Sequence, residues 1–387
     1  MRRLTEHSRD PLIEVARALV DDRPLPYAMR DVTVLDWDAL ASRAEHERLA
    51  PILYEALRGG AAPAPVLARL RTAWTAAERQ HLLADVQLRE ILGALGDAGI
   101  ETIVLKGPAV AAEYYGDPAL RPFTDLDLLV RRSDREHAID VLGRLGYTHG
   151  SPGRSLAYEL RHAPAAYFVG GASRIPIDLH WDFVRHPGAG RATDLVVDEI
   201  WSRARFTKIS GQPARALAVE DLLVYLTTHL AIHHSLVGVL WQADVALVLR
   251  RANATIDWDA VVSRAERWGA AGAVYFALRV VAERLRVMAP TAVMSRLRPG
   301  ALRVAALERL LAAGPERLAR MEYLVGVLLL DRFADVARVV GAGLVPTPGW
   351  LRSRYGSSSV RAAYGEHYRR LAGAVARALA RQSVHPG

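Results

Sequence analysis

The sequence predicts an α+β (or α/β) fold in which a small mixed β-sheet is flanked by helical regions. Apolar residues recur with helical spacing before residue 95 and after residue 213. Between these regions, short apolar segments are separated by glycines, which is typical of strands. At 387 residues the chain has room for two or three structural units. We therefore expect an N-terminal helical region (residues 1–94), an α/β core (residues 95–212) and a C-terminal helical domain (residues 213–387).

The N-terminal region is predicted to be mainly helical. Apolar periodicity favours helices over residues 11–20 and 37–58, the second followed by a Gly-Gly pair. After an Ala/Pro linker, a long amphipathic helix is expected over residues 66–98. Gly99 then occupies the position of a C-terminal cap.

The central region changes to short apolar segments, which we interpret as strands. The segment from Ser133 to Glu136 has the form of a capping box and opens a helix that ends at Leu145. Lys208 is interpreted as a charge on a strand edge. Strands are expected over residues 100–105, 123–130, 166–169 and 177–181, with an extended segment from Tyr147 and a helix over residues 109–115.

Helical periodicity returns in the last part of the chain. Glu220 and Asp221 begin a helix whose leucines repeat every three or four residues. Further helices are predicted over residues 238–251, 257–287, 301–312, 315–341 and 360–382.

Composition excludes several classes of protein. Cysteine is absent, which excludes a disulfide framework and a zinc site built on thiolates. The first residues contain arginines without a long apolar segment after them, so no secretory signal is expected. The longest apolar runs are too short to span a bilayer. We expect a soluble, cytoplasmic protein with no membrane partner.

The positive charge is a weak argument for a nucleic-acid partner. The net charge is +8, but only two of the 50 basic residues, Lys106 and Lys208, are lysines. This imbalance is typical of a GC-rich coding bias, and the arginines are spread along the whole sequence. A nucleic-acid partner is therefore possible but not favoured. The rarity of lysine makes Lys106 notable, because a compact ammonium suits a phosphate.

The most informative segment runs from residue 105 to residue 130. Asp125 and Asp127 lie in a predicted strand, where alternation places both carboxylates on one face. A shared divalent cation is a common reason to tolerate two adjacent carboxylates. Lys106 and Gly107 end an apolar run where a strand turns into a helix and can receive a phosphate. Together these features indicate metal-assisted phosphate chemistry.

A third carboxylate strengthens this prediction. Asp178 lies on the polar side of the alternating segment 177–181, and three acids from two neighbouring strands suit two Mg²⁺ ions. The alternative is a sheet face on which the acids are only paired with arginines, namely Arg121, Arg131 and Arg132.

Histidines near these acids have two possible roles. His180 shares the polar face of Asp178 and either helps to position a substrate or is a plain surface residue. His229 and His233 have helical i, i+4 spacing. For this pair we favour helix packing or a contact to the active site over a metal site, because the glutamate of a zinc hydrolase motif is missing.

Several of these motifs together resemble those of a known protein family. Leu105-Lys106-Gly107, Tyr114-Tyr115, Arg121 and the segment 124–130 resemble uncharacterised nucleotidyltransferases of the DNA polymerase β superfamily. Segments 177–181 and 220–244 are similar to the third-acid strand and the helical segment of that family, and the resemblance covers about residues 40–250. It implies a minimal nucleotidyltransferase sheet and transfer of a nucleoside monophosphate from an NTP such as ATP to a hydroxyl acceptor, with pyrophosphate leaving.

The resemblance also implies roles for the acids. Asp125 and Asp127 would bind the Mg²⁺ of the nucleotide. Asp178 would share a second Mg²⁺ or take the proton of the attacking hydroxyl.

The remaining site residues would bind the nucleotide. Gly107 would let the backbone approach the triphosphate, Lys106 and Arg121 would neutralise its charge, and His180 would help to position it. Most of the superfamily carries Gly-Ser or Gly-Gly at the phosphate turn, whereas this chain has Lys106-Gly107-Pro108. This departure leaves two alternatives open: an inactive nucleotide- or partner-binding module, and a toxin-like tRNA-modifying enzyme, which would need a basic stripe beside the cleft.

Overall fold

A mixed sheet forms the centre of the fold, as the sequence predicts, and it has seven strands. The computed structural model describes residues 10–29, 36–60, 62–151, 154–183, 194–312, 314, 318, 321–356 and 359–382. Residues 1–9, which begin the segment where no secretory signal is expected, lie outside that part. The strands are β1 (Thr102–Val104), β2 (Leu126–Val130), β3 (Thr148–His149), β4 (Ala165–Val169), β5 (Ile177–His180), β6 (Arg205–Ile209) and β7 (Gln212–Ala216). Their order in the sheet is β3-β4-β5-β2-β1-β7-β6.

Strand β2 lies at the middle of this sheet and explains its apolar sequence. It pairs antiparallel with β1 and parallel with β5, and all five of its residues are buried. Lys208 lies in β6, the outermost strand, which confirms its predicted place on an edge.

The N-terminal helices differ from the prediction at one point. They are α1 (Pro11–Val20), α2 (Leu25–Ala28), α3 (Trp37–His46), α4 (Ala50–Leu57) and α5 (Ala64–Asp97). The single helix expected over residues 37–58 is wrong, because Arg48 has a φ of 59°. A left-handed residue cannot continue a right-handed helix, so α3 ends before it and α4 starts after it.

Short helices connect the strands of the core. They are α6 (Pro108–Tyr114), α7 (Arg135–Arg144), α8 (Leu156–His162) and α9 (Asp194–Arg203). The predicted capping box at Ser133 is wrong, because a 3₁₀ turn over Arg132–Asp134 precedes α7. The Ser133 hydroxyl donates instead to the Asp134 carboxylate at 2.9 Å.

The C-terminal region is helical, with two corrections. The helix expected over residues 257–287 is two helices, because Gly269 adopts the left-handed conformation at φ 63° and ends the first. The helix expected over residues 315–341 is also divided, and residues 315–317, 319 and 320 lie outside the described residues. The helices are α10 (Val219–Ile232), α11 (Val239–Ala252), α12 (Trp258–Trp268), α13 (Ala271–Leu285), α14 (Thr291–Leu297), α15 (Ala301–Ala312), α16 (Glu322–Leu329), α17 (Phe333–Leu344), α18 (Pro348–Tyr355) and α19 (Val360–Gln382).

Two hydrophobic cores cover the two faces of the sheet. One face, including Leu128, packs against α7 and the C-terminal half of α5. The other face, including Leu129, joins a core made by helices from both ends of the chain. Arg17 in α1 donates to the carbonyl of Arg284 at 2.7 Å, across 267 residues of sequence. The domain boundaries at 94/95 and 212/213 stay a prediction. Helix α5 runs through the first of them, and β7 begins at the second.

Within the described part of the chain, no helix is both long enough and apolar enough to cross a membrane.

Candidate active site

Strand pairing brings the acidic residues together. Asp127 in β2 lies opposite Asp178 in the parallel strand β5. Asp125 precedes β2 by one residue, and its side chain lines the same cavity as the other two. Asp127 is buried, whereas Asp125 and Asp178 are partly exposed. The three carboxylates therefore line one cavity next to β2 and β5.

Two cationic side chains lie among these carboxylates. The Lys106 Nζ atom is 2.7 Å from Asp127 Oδ1. The His180 Nε2 atom is 3.1 Å from Asp178 Oδ2 and 3.4 Å from Asp127 Oδ1. Lys106 follows β1 and His180 ends β5, so the same strands that hold the acids also hold the cations.

The carboxylates keep both cations protonated. Burial by itself lowers the pKa of Lys106, but the charges of Asp127 and Asp125 outweigh burial and leave that pKa raised. Burial also lowers the pKa of His180, yet Asp178 and Asp127 together raise it to about 10. At neutral pH the site therefore holds an ammonium and an imidazolium.

The acids respond to the same surroundings in different ways. Burial raises the pKa of Asp127, but the Lys106 charge and the His180 contact outweigh it and leave the pKa lowered. Burial and the charge of Asp127 raise the pKa of Asp125, and Lys106 offsets only part of that rise. Asp127 is thus the acid that the two cations hold ionised.

Two buried polar atoms of the site are in ion pairs but make no hydrogen bond among the described residues. Asp127 Oδ1 and His180 Nε2 are both buried, and neither makes a hydrogen bond within the described part of the chain. Their distances to charged neighbours are short, but the angles do not suit hydrogen bonds, so we treat these contacts as ion pairs. These contacts neutralise the charge of Asp127, and a bound divalent cation could take their place.

The donor atoms fit a divalent cation. One ligand atom from each of Asp127, Asp178 and His180 lies within 4.8 Å of the others. Carboxylate oxygens suit Mg²⁺ or Mn²⁺, and an imidazole nitrogen suits Mn²⁺ or Zn²⁺ after it loses its proton. Asp125 lines the same cavity and could add a further oxygen.

The cavity in front of the acids has a volume of about 270 Å³. Its far wall is aromatic and comes from Phe183 and the C-terminal helices. The Phe183 ring lies 5.3 Å from that of Tyr225 and 5.7 Å from that of Trp268. Burial and the charges of Asp127 and Asp178 raise the pKa of Tyr225, so its phenol stays neutral. The cavity is therefore charged on the sheet side and largely aromatic on the helix side.

Histidines of α10 and the turn after it complete the wall. His229 and His233 line the cavity, and the His229 Nε2 atom is 3.1 Å from the His234 Nε2 atom. Burial and the charge of Lys106 lower the pKa of His229 well below its usual value. Burial and His233 lower that of His234 to about 3. These two rings are neutral and contact each other. The contact to the active site that we favoured for His229 and His233 agrees with this arrangement.

Arg121 does not line the cavity. Its Nε and Nη2 atoms donate to the two oxygens of Asp244 at 2.9 and 2.6 Å, and Tyr115 donates to the same carboxylate at 2.7 Å. All three side chains are buried. Arg121 therefore links the turn before β2 to helix α11 through this buried ion pair. It is not free to neutralise a triphosphate.

Gly107 forms the turn between β1 and α6. Its φ of 60° and ψ of −115° are strained for any residue with a Cβ, although the space around it would admit one. A glycine therefore suits this turn, which places the Lys106 side chain next to Asp127. The predicted contact of Gly107 with a triphosphate stays a prediction.

The arginines of the alternative interpretation bind other partners. Arg131 is 3.3 Å from Glu101, and Arg132 is 2.6 Å from Asp182. Among the described residues, none of these arginines forms an ion pair with the three acids of the cavity. The acids are balanced by Lys106 and His180 instead.

Sequence reasoning missed most of the aromatic wall. Phe183, Tyr225, Thr228 and Trp268 line the cavity but have no motif of their own. One signal was present in α10, where Tyr225, Thr228 and His229 recur at the three- and four-residue spacing of one helix face. Trp268 carries no such signal, because only tertiary packing brings the end of α12 to the sheet.

Comparison with known families agrees with this site. A family described as uncharacterised nucleotidyltransferase matches residues 33–286. The chain belongs to this family. The matched range includes the whole sheet and every residue that lines the cavity. No curated protein matches the chain. Membership supports nucleotidyl transfer as the general activity and a nucleotide as the substrate, and the Asp127–Asp178–His180 group could hold a metal ion.

Proposed function

We propose that this nucleotidyltransferase moves a nucleoside monophosphate from an NTP such as ATP to a hydroxyl acceptor and releases pyrophosphate. In this reaction the acceptor oxygen forms a bond to the α-phosphorus, and the bond from that phosphorus to the β-phosphate oxygen breaks. The observation that carries the proposal is the convergence of Asp125, Asp127 and Asp178 on one cavity that contains buried atoms without hydrogen bonds.

The cation proposed for this site is Mg²⁺, with two ions the expected number. Asp127 and Asp178 would hold it, with Asp125 as a further oxygen ligand, and the His180 ring could contribute only after it loses its proton. A bound divalent cation supplies charge that stabilises the phosphoryl oxygens during displacement.

Residues of the site would bind the phosphate, accept the proton and exclude water. Lys106 is the cation that faces the acids, and a rotation of its side chain would direct its ammonium toward a phosphate in the cavity. Asp178 is the most exposed of the ion-paired acids and is suited to accept the acceptor's proton. His180, as an imidazolium, would hold Asp178 in position. The aromatic wall would exclude water from the reacting phosphate.

The cavity volume limits how the substrate can lie. About 270 Å³ is at the small end of ligand sites, which suits a phosphate group with its cations better than a complete NTP. We infer that the reacting phosphates enter the cavity while the base lies outside it.

The proposal is tested by nucleotide turnover and by metal binding. Purified protein is incubated with each α-labelled NTP, Mg²⁺ or Mn²⁺ and cell extract, and labelled products are separated. We expect a product that an Asp125→Asn/Asp127→Asn double variant fails to make. Asp97→Asn, an exposed helix residue outside the cavity, is the matched control. Mn²⁺ binding followed by electron paramagnetic resonance should weaken at least tenfold in Asp127→Asn.

Two outcomes would contradict the proposal. Unchanged turnover in the double variant would remove the acids from the reaction. Nucleotide binding without turnover under any condition would favour an inactive module with the same fold.

A further inference from the structure

A long basic groove lies beside the proposed active site. Two open cavities of about 650 and 730 Å³ lie side by side along α5, with Ala76 and Arg79 lining both, and we refer to them together as the groove. Its lining follows one face of the helix from Ala64 to Leu83. At 1.5 Å per residue this face is about 28 Å long. The arginines along it are Arg48, Arg58, Arg71, Arg79 and Arg174.

Three of these arginines are not neutralised by the protein. Arg58 is paired with Glu55, and Arg174 with Glu90. By contrast, Arg48, Arg71 and Arg79 have no carboxylate within 4.0 Å in the described part of the chain. The acidic lining residue Glu45 accepts two hydrogen bonds from Arg69. Positive charge therefore remains along the groove, whereas many other arginines in the described part of the chain have acidic partners.

The groove ends next to the acidic cavity. Arg48 Nη1 donates to Thr124 Oγ1 at 3.4 Å, and that hydroxyl lies 3.3 Å from Asp125 Oδ1. Thr124 lines the groove and Asp125 lines the cavity. The guanidinium of Arg48 also lies over the ring of Trp241, 5.8 Å from its centroid. A ligand in the groove would thus have its end within reach of the acids.

We propose that this groove binds the phosphate backbone of a single-stranded nucleic acid and presents its terminal hydroxyl as the acceptor. The inference rests on the proposed function, because it names the acceptor class for the same site. Guanidinium groups match phosphate oxygens in a bidentate geometry, and a row of them along one helix face follows a linear polyanion. Tyr54, at the far end, offers a ring on which a base can stack.

A linear nucleic acid fits this surface better than an acidic protein does. Its charges continue along the strand, and the unpaired arginines are spread along the groove, with Arg71 and Arg79 on α5 and Arg48 beside Thr124. It also ends in a hydroxyl. RNA and DNA share this chemistry, so the groove alone does not distinguish them. The reaction requires the Pα–O bond to form at that hydroxyl, with its proton passing to Asp178.

Fluorescence anisotropy without NTP or metal tests the binding. The probes are a labelled 12-nucleotide single-stranded RNA, a DNA of the same sequence and a labelled 12-residue polyglutamate. We expect RNA or DNA to bind at 50 mM salt, with an affinity that falls steeply as salt rises. Arg71→Gln/Arg79→Gln should weaken that binding about 10- to 100-fold and reduce the salt slope by about 1.4, because each lost phosphate contact removes about 0.7.

A matched variant controls for net charge. Arg144→Gln/Arg309→Gln removes two exposed arginines that lie outside the groove, and we expect its binding to equal that of the unmodified protein. No binding of either nucleic acid at 50 mM salt would overturn the inference. Equal weakening in both double variants, or equal binding of polyglutamate, would also overturn it.

A further variant separates this inference from the proposed function. Asp127→Asn should keep full nucleic-acid affinity while losing nucleotidyl transfer. Normal nucleic-acid binding by a protein that never transfers a nucleotide would refute the proposed function and leave the groove assignment standing.

Discussion

Replacing Asp244 with alanine should destabilise the protein by about 3–5 kcal/mol. Asp244 accepts two hydrogen bonds from Arg121 and one from Tyr115, and the side chains of the ion pair are only 4% and 1% exposed. Alanine would leave the Arg121 guanidinium buried without a counter-charge, which costs about 3–5 kcal/mol in other proteins. Urea unfolding followed by circular dichroism measures the change as a lower transition midpoint.

The controls distinguish a buried pair from a surface one. Arg296 and Asp259 also form an ion pair, but their side chains are 49% and 86% exposed, so Asp259→Ala should cost less than about 1 kcal/mol. Arg121→Met/Asp244→Leu removes both charges and should recover most of the loss. If Asp244→Ala costs no more than Asp259→Ala, the reasoning about this buried tie is refuted.

Three further predictions follow from the site and its strands. The pKa of His180 is raised to about 10, so its stabilising ion pair is present below pH 6.5 and is lost as pH rises through 10. The free energy of unfolding of metal-free protein should fall over that range, and a His180→Gln variant with the same pH profile would contradict this. Gly107→Ala should cost about 1–3 kcal/mol because of its positive φ. Gly96→Ala, in a helix with open space, should instead be neutral or stabilising by about 0.4–1 kcal/mol, and equal thermal shifts for the two would argue against strain. Leu128→Ala, in the buried strand β2, should cost about 2–5 kcal/mol by urea unfolding, and a loss below about 1 kcal/mol would show that β2 is not the centre of the core.

The sheet and its acids could be predicted because their signals are local. Alternation in residues 124–130 and 177–181 fixes which side chains share a face, and the apolar residues between them identify buried strands. Parallel pairing then places Asp127 beside Asp178. Lys106 was found because lysine is rare in this chain.

The rest depends on contacts between distant parts of the chain. Arg121 was expected at the nucleotide, but its partner Asp244 lies 123 residues away, so no local pattern could identify the pair. Arg48 and Arg174 lie outside α5 in sequence and join Arg71 and Arg79 in the groove only after folding. The helix break at Arg48 was not predicted either. The apolar periodicity continues across it, although Arg48 adopts a left-handed backbone conformation.

The core shared by the two ends of the chain has a consequence for biosynthesis. Helix α1 packs against α11 and α13, and Arg17 bonds to a carbonyl 267 residues later. At about 5–20 residues per second, a ribosome needs roughly 13 to 50 seconds to make that stretch. During this interval the side of α1 that packs against α11 and α13 lacks those two partners, so the nascent chain is exposed to aggregation and to chaperones. A fragment ending at residue 212 would lose β7 and the native pairing of β6, and it would also leave that side of α1 uncovered.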